Sequence, residues 1–240
     1  MTGSGLEADR SVEKRQIQAS AHILDDFLVQ EGIRTLRSNL MFSGIDKRVF
    51  GITSCNPSEG KSTTSFQLAA AFAQLNKRVL LMDVDLRKST VAQKLGFLET
   101  EKGMSHFLSG LATLEEVIYP TDIPGMDVIY AGKLVPNASE LLTGQMFRDM
   151  LGELRKAYDY VIVDTPPLGQ VIDCAVIAAD LDGVILLIDA TGNSFRAEKR
   201  IQEQIEKAGG KILGVVLNKV DVSGRFGYYK KAYGGRYAYE

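Results

Sequence analysis

Short apolar runs recur along the chain at 49–53, 78–82, 127–130, 160–163, 183–188 and 212–217. They are rich in β-branched residues, and several show no polar alternation, as expected of parallel strands buried on both faces. Between most of them lie segments of helical character. Residues 61–75 are rich in Ala, Leu and Gln, and 194–208 mix Ala, Glu, Lys, Arg, Gln and Ile. Thr113-Leu114-Glu115-Glu116 fits a capping box ahead of Val117 and Ile118. Strand alternating with helix predicts an α/β fold, a doubly wound, mostly parallel sheet with helices on both faces. Residues 46–220 carry this rhythm. Residues 1–45 read as a helix-prone arm ahead of the first strand. Residues 221–240 hold Gly, Tyr and basic side chains with almost no aliphatic periodicity, which predicts a flexible tail.

At 240 residues the chain is long enough for one large domain with a well-buried core. A formal net charge of -2 gives no electrostatic reason to expect nucleic acid as a partner. No apolar run approaches the roughly 20 residues of a spanning helix. Residues 1–10 are polar and lack a signal-peptide core, so a cytoplasmic location is expected. Cys55 and Cys174 are the only cysteines and form no CxxC pair, which excludes a zinc cluster or a disulfide framework. His22 and His106 have no metal-ligand type spaced near them and read as structural or surface residues.

The chemistry starts where the first strand runs into Ser54-Cys55-Asn56-Pro57-Ser58-Glu59-Gly60-Lys61-Ser62-Thr63. A strand–turn–helix of this kind points backbone N–H groups at a bound anion. Gly60 lets the backbone approach phosphates, Lys61 offers a charge for the β/γ oxygens, and Ser62 offers a hydroxyl to magnesium. Cys55 occupies the first glycine position of GxxxxGK[ST], so the strict motif fails, and a strand–turn–helix junction with a chance Lys-Ser is the competing reading. Two more strand ends weaken that reading. The second strand closes on Asp83-Val84-Asp85-Leu86-Arg87 and the fourth on Asp164-Thr165-Pro166-Pro167. An acid at the C-terminal end of a buried strand lies on the ligand-binding edge of an open α/β sheet, where it can hold magnesium directly or through water. A helix N-cap at Asp83 and a turn residue at Asp164 are the plainer alternatives.

Together the three segments resemble the Walker A, A′ and B motifs of bacterial tyrosine kinases (BY-kinases), P-loop NTPase-type enzymes. The nearest likeness is to the separate cytoplasmic kinase subunits of Gram-positive capsule and exopolysaccharide systems. The resemblance implies ATP- and magnesium-dependent phosphorylation of tyrosine. It assigns Lys61, Asp83, Asp85 and Asp164 to catalysis, Pro57, Ser58, Glu59, Gly60, Lys61, Ser62 and Thr63 to nucleotide, and Ser62, Asp83 and Asp164 to the metal. Glu31, Arg34 and Arg37 are similar to the family's ExxRxxR motif, which implies a ring-like homo-oligomer; a solvated helix with internal Glu–Arg pairs is the alternative. Tyr228, Tyr229, Tyr233, Tyr237 and Tyr239, five of the nine tyrosines, lie in the last 13 residues and match the family's autophosphorylated cluster. The family also implies a separate transmembrane adaptor that recruits the kinase to the inner face of the plasma membrane, and a cognate phosphotyrosine phosphatase. The chain departs from the family at Ser58, where a glycine is usual, and at Ala138, where Pro-Asn-Pro-x-Glu-Leu-Leu has its second proline. If position 58 needs a positive φ, a serine there weakens phosphate binding.

Three other readings stay open at this level. Asn218-Lys219-Val220-Asp221 matches the NKxD guanine signature of GTPases, although Asp164-Thr165-Pro166-Pro167 is not their Asp-x-x-Gly. A MinD/ParA-type ATPase switch would carry a signature lysine where Asn56 stands. A nucleotide-binding scaffold without kinase activity is the third, motivated by Ser58.

Overall fold

The computed structural model describes residues 16–95, 101–192 and 195–220. Seven strands make one sheet: β1 (Val49–Ser54), β2 (Val79–Asp83), β3 (Ile118–Pro120), β4 (Met126–Ile129), β5 (Tyr160–Asp164), β6 (Gly183–Asp189) and β7 (Ile212–Asn218). Their spatial order is β3-β4-β2-β5-β1-β6-β7. Every neighbouring pair is parallel except β3 and β4. The helices are α1 (Phe27–Phe42), α2 (Lys61–Ala73), α3 (Val91–Lys94), α4 (Met104–Leu108), α5 (Leu114–Val117), α6 (Ala138–Thr143), α7 (Gln145–Ala157), α8 (Asp173–Ile177) and α9 (Phe195–Lys207).

The central strands are buried on both faces because successive side chains alternate between two cores. On one face Val161 and Val163 of β5 join Phe147, Leu151 and Leu154 of α7 and Ile201 and Ile205 of α9. On the other, Ile162 of β5 joins Phe50 and Ile52 of β1, Leu68 and Phe72 of α2, and Leu40 of α1. Full burial of a side chain such as Phe147 or Leu68 contributes about 1.5–3 kcal/mol. The expected doubly wound, mostly parallel sheet is therefore present.

Three local outcomes differ from the sequence pattern. Thr113 does form its capping box: Glu116 N donates to Thr113 Oγ1 at 3.3 Å and Thr113 N to Glu116 Oε2 at 2.9 Å. The helix it starts ends after one turn at Val117, and Ile118 begins the antiparallel edge strand β3 instead. Helix α2 stops at Ala73, short of residue 75, because the chain turns at Asn76 with φ 57°. Apart from a single 3-10 turn at Ser20–His22, the arm ahead of β1 is helical only from Phe27, where Asp26 caps α1 by accepting from Leu28 N and Val29 N. Upstream it is a strap. Ile17 bridges Thr121 beside β3, Ala19 N and Ser20 N donate to Asp122 Oδ1 at 2.6 and 2.8 Å, and Gln67 of α2 holds His22 O and Leu24 N with its two amide atoms. Ile17 is 1% exposed, so the strap adds to the core.

Candidate active site

Strand β5 lies between β1 and β2, so the phosphate loop, Asp83 and Asp164 emerge side by side on one edge of the sheet. Asp83 and Asp164 are register partners across β2 and β5. Ile52, two residues before the loop, is the register partner of Asp164 on the other side.

The loop is shaped by two left-handed residues, Ser58 with φ 61° and Gly60 with φ 101°. A side chain at Gly60 would be strained at φ 101°, and its Cβ would sit 2.2 Å from Asn218 Nδ2, which would have to move. From Gly60 the helix starts at once, with Thr64 N donating to Gly60 O at 2.9 Å. This leaves the first N–H groups of α2 without carbonyl partners in their own helix, at its positive end. Pro57 and Ser58 are exposed, and Glu59 is buried against Asn56, whose Nδ2 donates to Glu59 Oε1 at 3.1 Å.

Lys61 is 8% exposed, and its Nζ donates to Ser54 Oγ at 3.0 Å. Burial pulls its pKa down, while Asp164, Asp85 and Glu59 pull it back toward the charged form. The Ser62 and Thr90 hydroxyls are 2.6 Å apart, and Lys94 Nζ donates to Thr63 Oγ1 at 2.7 Å. Both contacts tie the start of α2 to the segment that follows Asp83 and Asp85.

Asp83 is fully buried; it accepts from Asp85 N at 3.0 Å and from the Ser89 hydroxyl. Asp85 is half-buried and accepts from Lys88 N at 2.9 Å and Arg87 N at 3.3 Å. Asp164 is 2% exposed and accepts from Ser65 Oγ at 3.0 Å. Neither of the plainer alternatives holds: Asp83 is followed by a loop rather than a helix, and Asp164 turns inward to α2. Burial raises both carboxyls, Asp164 to about 6, with the Ser62 and Ser65 hydroxyls and Lys61 opposing the rise. Asp83 stands well above the carboxylate range, from burial first and then the charge of Asp164. Two buried acids in register disfavour double ionisation until a cation joins them.

The residues fit a magnesium ion carried in with a nucleotide. The Ser62 hydroxyl and the Asp164 and Asp83 carboxylates are the oxygen donors such an ion takes, one or two at a time, beside phosphate oxygens and water. Among the described residues, no group of three or more His, Cys, Asp or Glu side chains forms a metal cage.

Asp173 escaped the sequence motifs, and the motif residues Arg87, Asn218 and Lys219 make contacts that the motifs did not specify. Arg87 reaches back with Nε and Nη2 to both oxygens of Asp173 at 2.7 and 3.2 Å, and its Nη1 and Nη2 also donate to Pro136 O and Ser139 Oγ. This fork binds the Asp83–Arg87 loop to the 136–139 segment and to α8. Asp173 is fully buried. The one signal it left was an acid at the head of the apolar run Cys174-Ala175-Val176-Ile177. Asn218 and Lys219 turn toward the phosphate loop, donating to Glu59 O at 2.8 Å and Ser58 O at 2.9 Å. Cys55 and Cys174 are both buried, and burial raises both thiols, so neither is a ready thiolate.

Glu31 and Arg34 are exposed and paired with each other. Arg37 leaves that face: its Nη1 donates to Ala71 O at 2.7 Å, capping a carbonyl in the last turn of α2. Tyr228, Tyr229, Tyr233, Tyr237 and Tyr239, and Asp221 of the NKxD match, lie outside the described residues. No helix among the described residues is long and apolar enough to cross a membrane.

A family model described as an AAA domain matches residues 48–213. The chain is 38% identical over 206 residues to the tyrosine-protein kinase CpsD of Streptococcus agalactiae, covering 84% of this chain and 90% of that protein. It is 35% identical over 206 residues to the tyrosine-protein kinase YwqD of Bacillus subtilis, covering 84% and 86%. The kinase domain of the Escherichia coli tyrosine kinase ETK superposes with a TM-score of 0.76 at 35% identity, over 80% of this chain and 75% of that one. The septum site-determining protein MinD of Pyrococcus horikoshii, at 23% identity, a TM-score of 0.63 and coverage of 75% and 73%, shares the fold alone. Fold and site thus define a P-loop α/β enzyme whose phosphate loop meets two buried acids. Within that class the chain belongs to the bacterial tyrosine-protein kinases, and it is a tyrosine-protein kinase.

Proposed function

We propose that this kinase uses ATP with magnesium to phosphorylate its own C-terminal tyrosines, Tyr228, Tyr229, Tyr233, Tyr237 and Tyr239, or those of a neighbouring copy. The observation that carries this reading is the convergence of Lys61, Asp83 and Asp164 at the ends of three adjacent strands. Phosphoryl transfer asks for charge stabilisation and in-line placement more than for covalent catalysis. Lys61 is buried beside the loop, where its Nζ donates to Ser54 Oγ, and it would turn to the β/γ oxygens of a bound nucleotide. The N–H groups of residues 59–63 cradle the phosphates. Bound magnesium supplies charge neutralisation on the phosphate oxygens. Ser62 and Asp164 would hold the ion, with Ser65 orienting the Asp164 carboxylate. Asp83 takes up or orients the phenol proton, which has a reference pKa of about 10 and needs such help at neutral pH. Asp85 supports the metal or acceptor side.

The wider role follows from the family resemblance: regulation of capsular or exopolysaccharide synthesis and export. It includes assembly into a ring through Glu31, Arg34 and Arg37, with Glu31 and Arg34 as the exposed members. It also includes recruitment to the inner face of the plasma membrane by a transmembrane adaptor, and reversal by a phosphotyrosine phosphatase. Phosphates on the tail, each adding about -1.5 to -2 charge, would loosen the ring by repulsion.

The test is incubation with ATP and magnesium followed by mass spectrometry of the tail, with Lys61→Met as control. Phosphotyrosine at the tail in the parent and none in the control supports the reading. An unmodified parent, or a modified control, sinks it.

A further inference from the structure

The family's usual glycine is missing at position 58, yet Ser58 still adopts φ 61°. A non-glycine residue pays for that region; it is disfavoured there on the order of tenfold. Two neighbours at the end of β7 hold it. Lys219, at the end of β7, donates from Nζ to Ser58 O at 2.9 Å and pairs with Asp189 Oδ2 at 2.6 Å. Asn218 donates from Nδ2 to Glu59 O at 2.8 Å. Its amide occupies the space that a Cβ on Gly60 would need.

A trans peptide plane holds the carbonyl of one residue and the N–H of the next on opposite sides. The described chain has no cis peptide bonds. A Ser58 carbonyl drawn toward Lys219 therefore turns the Glu59 N–H away from β7. A Glu59 carbonyl drawn toward Asn218 does the same for the Gly60 N–H. Two successive N–H groups on one side of a loop make the concave nest that binds phosphate oxygens. We infer that Asn218 and Lys219 are positioning residues for the phosphate loop, and that the Lys219 hydrogen bond is what allows a serine to stand at position 58.

The plain alternative is a surface ion pair between Lys219 and Asp189, which by itself contributes little. It accounts for the contact with Asp189 but not for the one with a main-chain carbonyl 161 residues earlier in the chain. The same geometry explains the first two residues of the NKxD match: both side chains are engaged with the loop.

The inference rests on the proposed nucleotide site, and its test separates the two. Affinity for a fluorescent ADP analogue with magnesium is measured for the parent, Lys219→Met, Lys219→Arg, Ser58→Gly and the Ser58→Gly/Lys219→Met double variant. Melting of the nucleotide-free proteins is followed alongside. Lys219→Met should bind about tenfold more weakly, roughly 1.4 kcal/mol. Lys219→Arg, which keeps a donor, should stay within about threefold. Glycine adopts the left-handed region freely, so on the Ser58→Gly background the lysine should matter only about two- to threefold. Parent-like binding by Lys219→Met, or the same loss on both backgrounds, overturns the inference. A parent that binds no nucleotide overturns the nucleotide site itself, and the inference with it.

Discussion

Asp83 and Asp164 face each other in register across β2 and β5, both almost fully buried. Such a pair is unfavourable without a cation, because burial and mutual repulsion both resist ionisation. The two carboxyls are where fold stability is given up for chemistry.

A pH dependence follows from Asp164. Its folded pKa of about 6 lies above the ordinary carboxylate value near 3.9. The folded state therefore binds more protons than the unfolded state between those values. The stability linked to this group is fully present below about pH 4 and is lost as pH rises through about 6. Asp164→Asn removes the linkage. Without magnesium and nucleotide, the variant should exceed the parent in stability above pH 6 by on the order of 1–3 kcal/mol, and the gap should close toward pH 4. Urea unfolding at several pH values measures it; a variant less stable than the parent at pH 7 would contradict the buried-pair account.

The Arg87–Asp173 fork predicts an asymmetry. Asp173 is fully buried, while the Arg87 side chain is 34% exposed. Arg87→Ala leaves the buried carboxylate without its charge partner, although the Ser139 hydroxyl still bonds it, and should cost roughly 3–5 kcal/mol. Asp173→Ala leaves a guanidinium that can turn to water and should cost less, about 1–3 kcal/mol. Both should slow phosphate transfer, because the fork anchors the loop that carries Asp83 and Asp85. Denaturant unfolding of the two variants checks the order; equal losses would argue that neither charge is stranded.

The strap at 16–24 is pinned mainly by Asp122 and Gln67. Asp122→Ala removes the acceptor for Ala19 N, Ser20 N and the Ser20 hydroxyl. Limited proteolysis should then cut within the strap several-fold faster, with a modest stability loss of about 1–2 kcal/mol. Unchanged cleavage would mean that Gln67 and the Ile17–Thr121 bridge hold the strap without Asp122.

What the sequence revealed depended on range. The strands β1, β2 and β5 were visible as apolar runs, and the acids at their ends as punctuation. Thr113 and Glu116 were visible as a box because four consecutive residues suffice to form it. β3 was hidden because three residues ending in Pro120 carry no period. The strap was hidden because its partners, Thr121 and Asp122, are about a hundred residues away. Asp173 was hidden for the same reason, 86 residues from Arg87. Arg37 shows a different limit. Positions i, i+3 and i+6 at 100° per residue fan over about 120°, so the last reaches the flank of α1 facing α2. The question raised at Ser58 could be posed from the sequence, but φ 61° and the Lys219 contact had to be seen.

The central claim is that Asp83, Asp164 and Lys61 form one site that moves phosphate to tyrosine. The most direct test is single-turnover formation of phosphotyrosine from ATP and magnesium in the parent and in Asp83→Asn, with nucleotide affinity measured in parallel. The rate should be roughly 10²–10⁴-fold lower in the variant, with affinity within a few-fold of the parent. Phosphotyrosine formed by Asp83→Asn at the parental rate would contradict it.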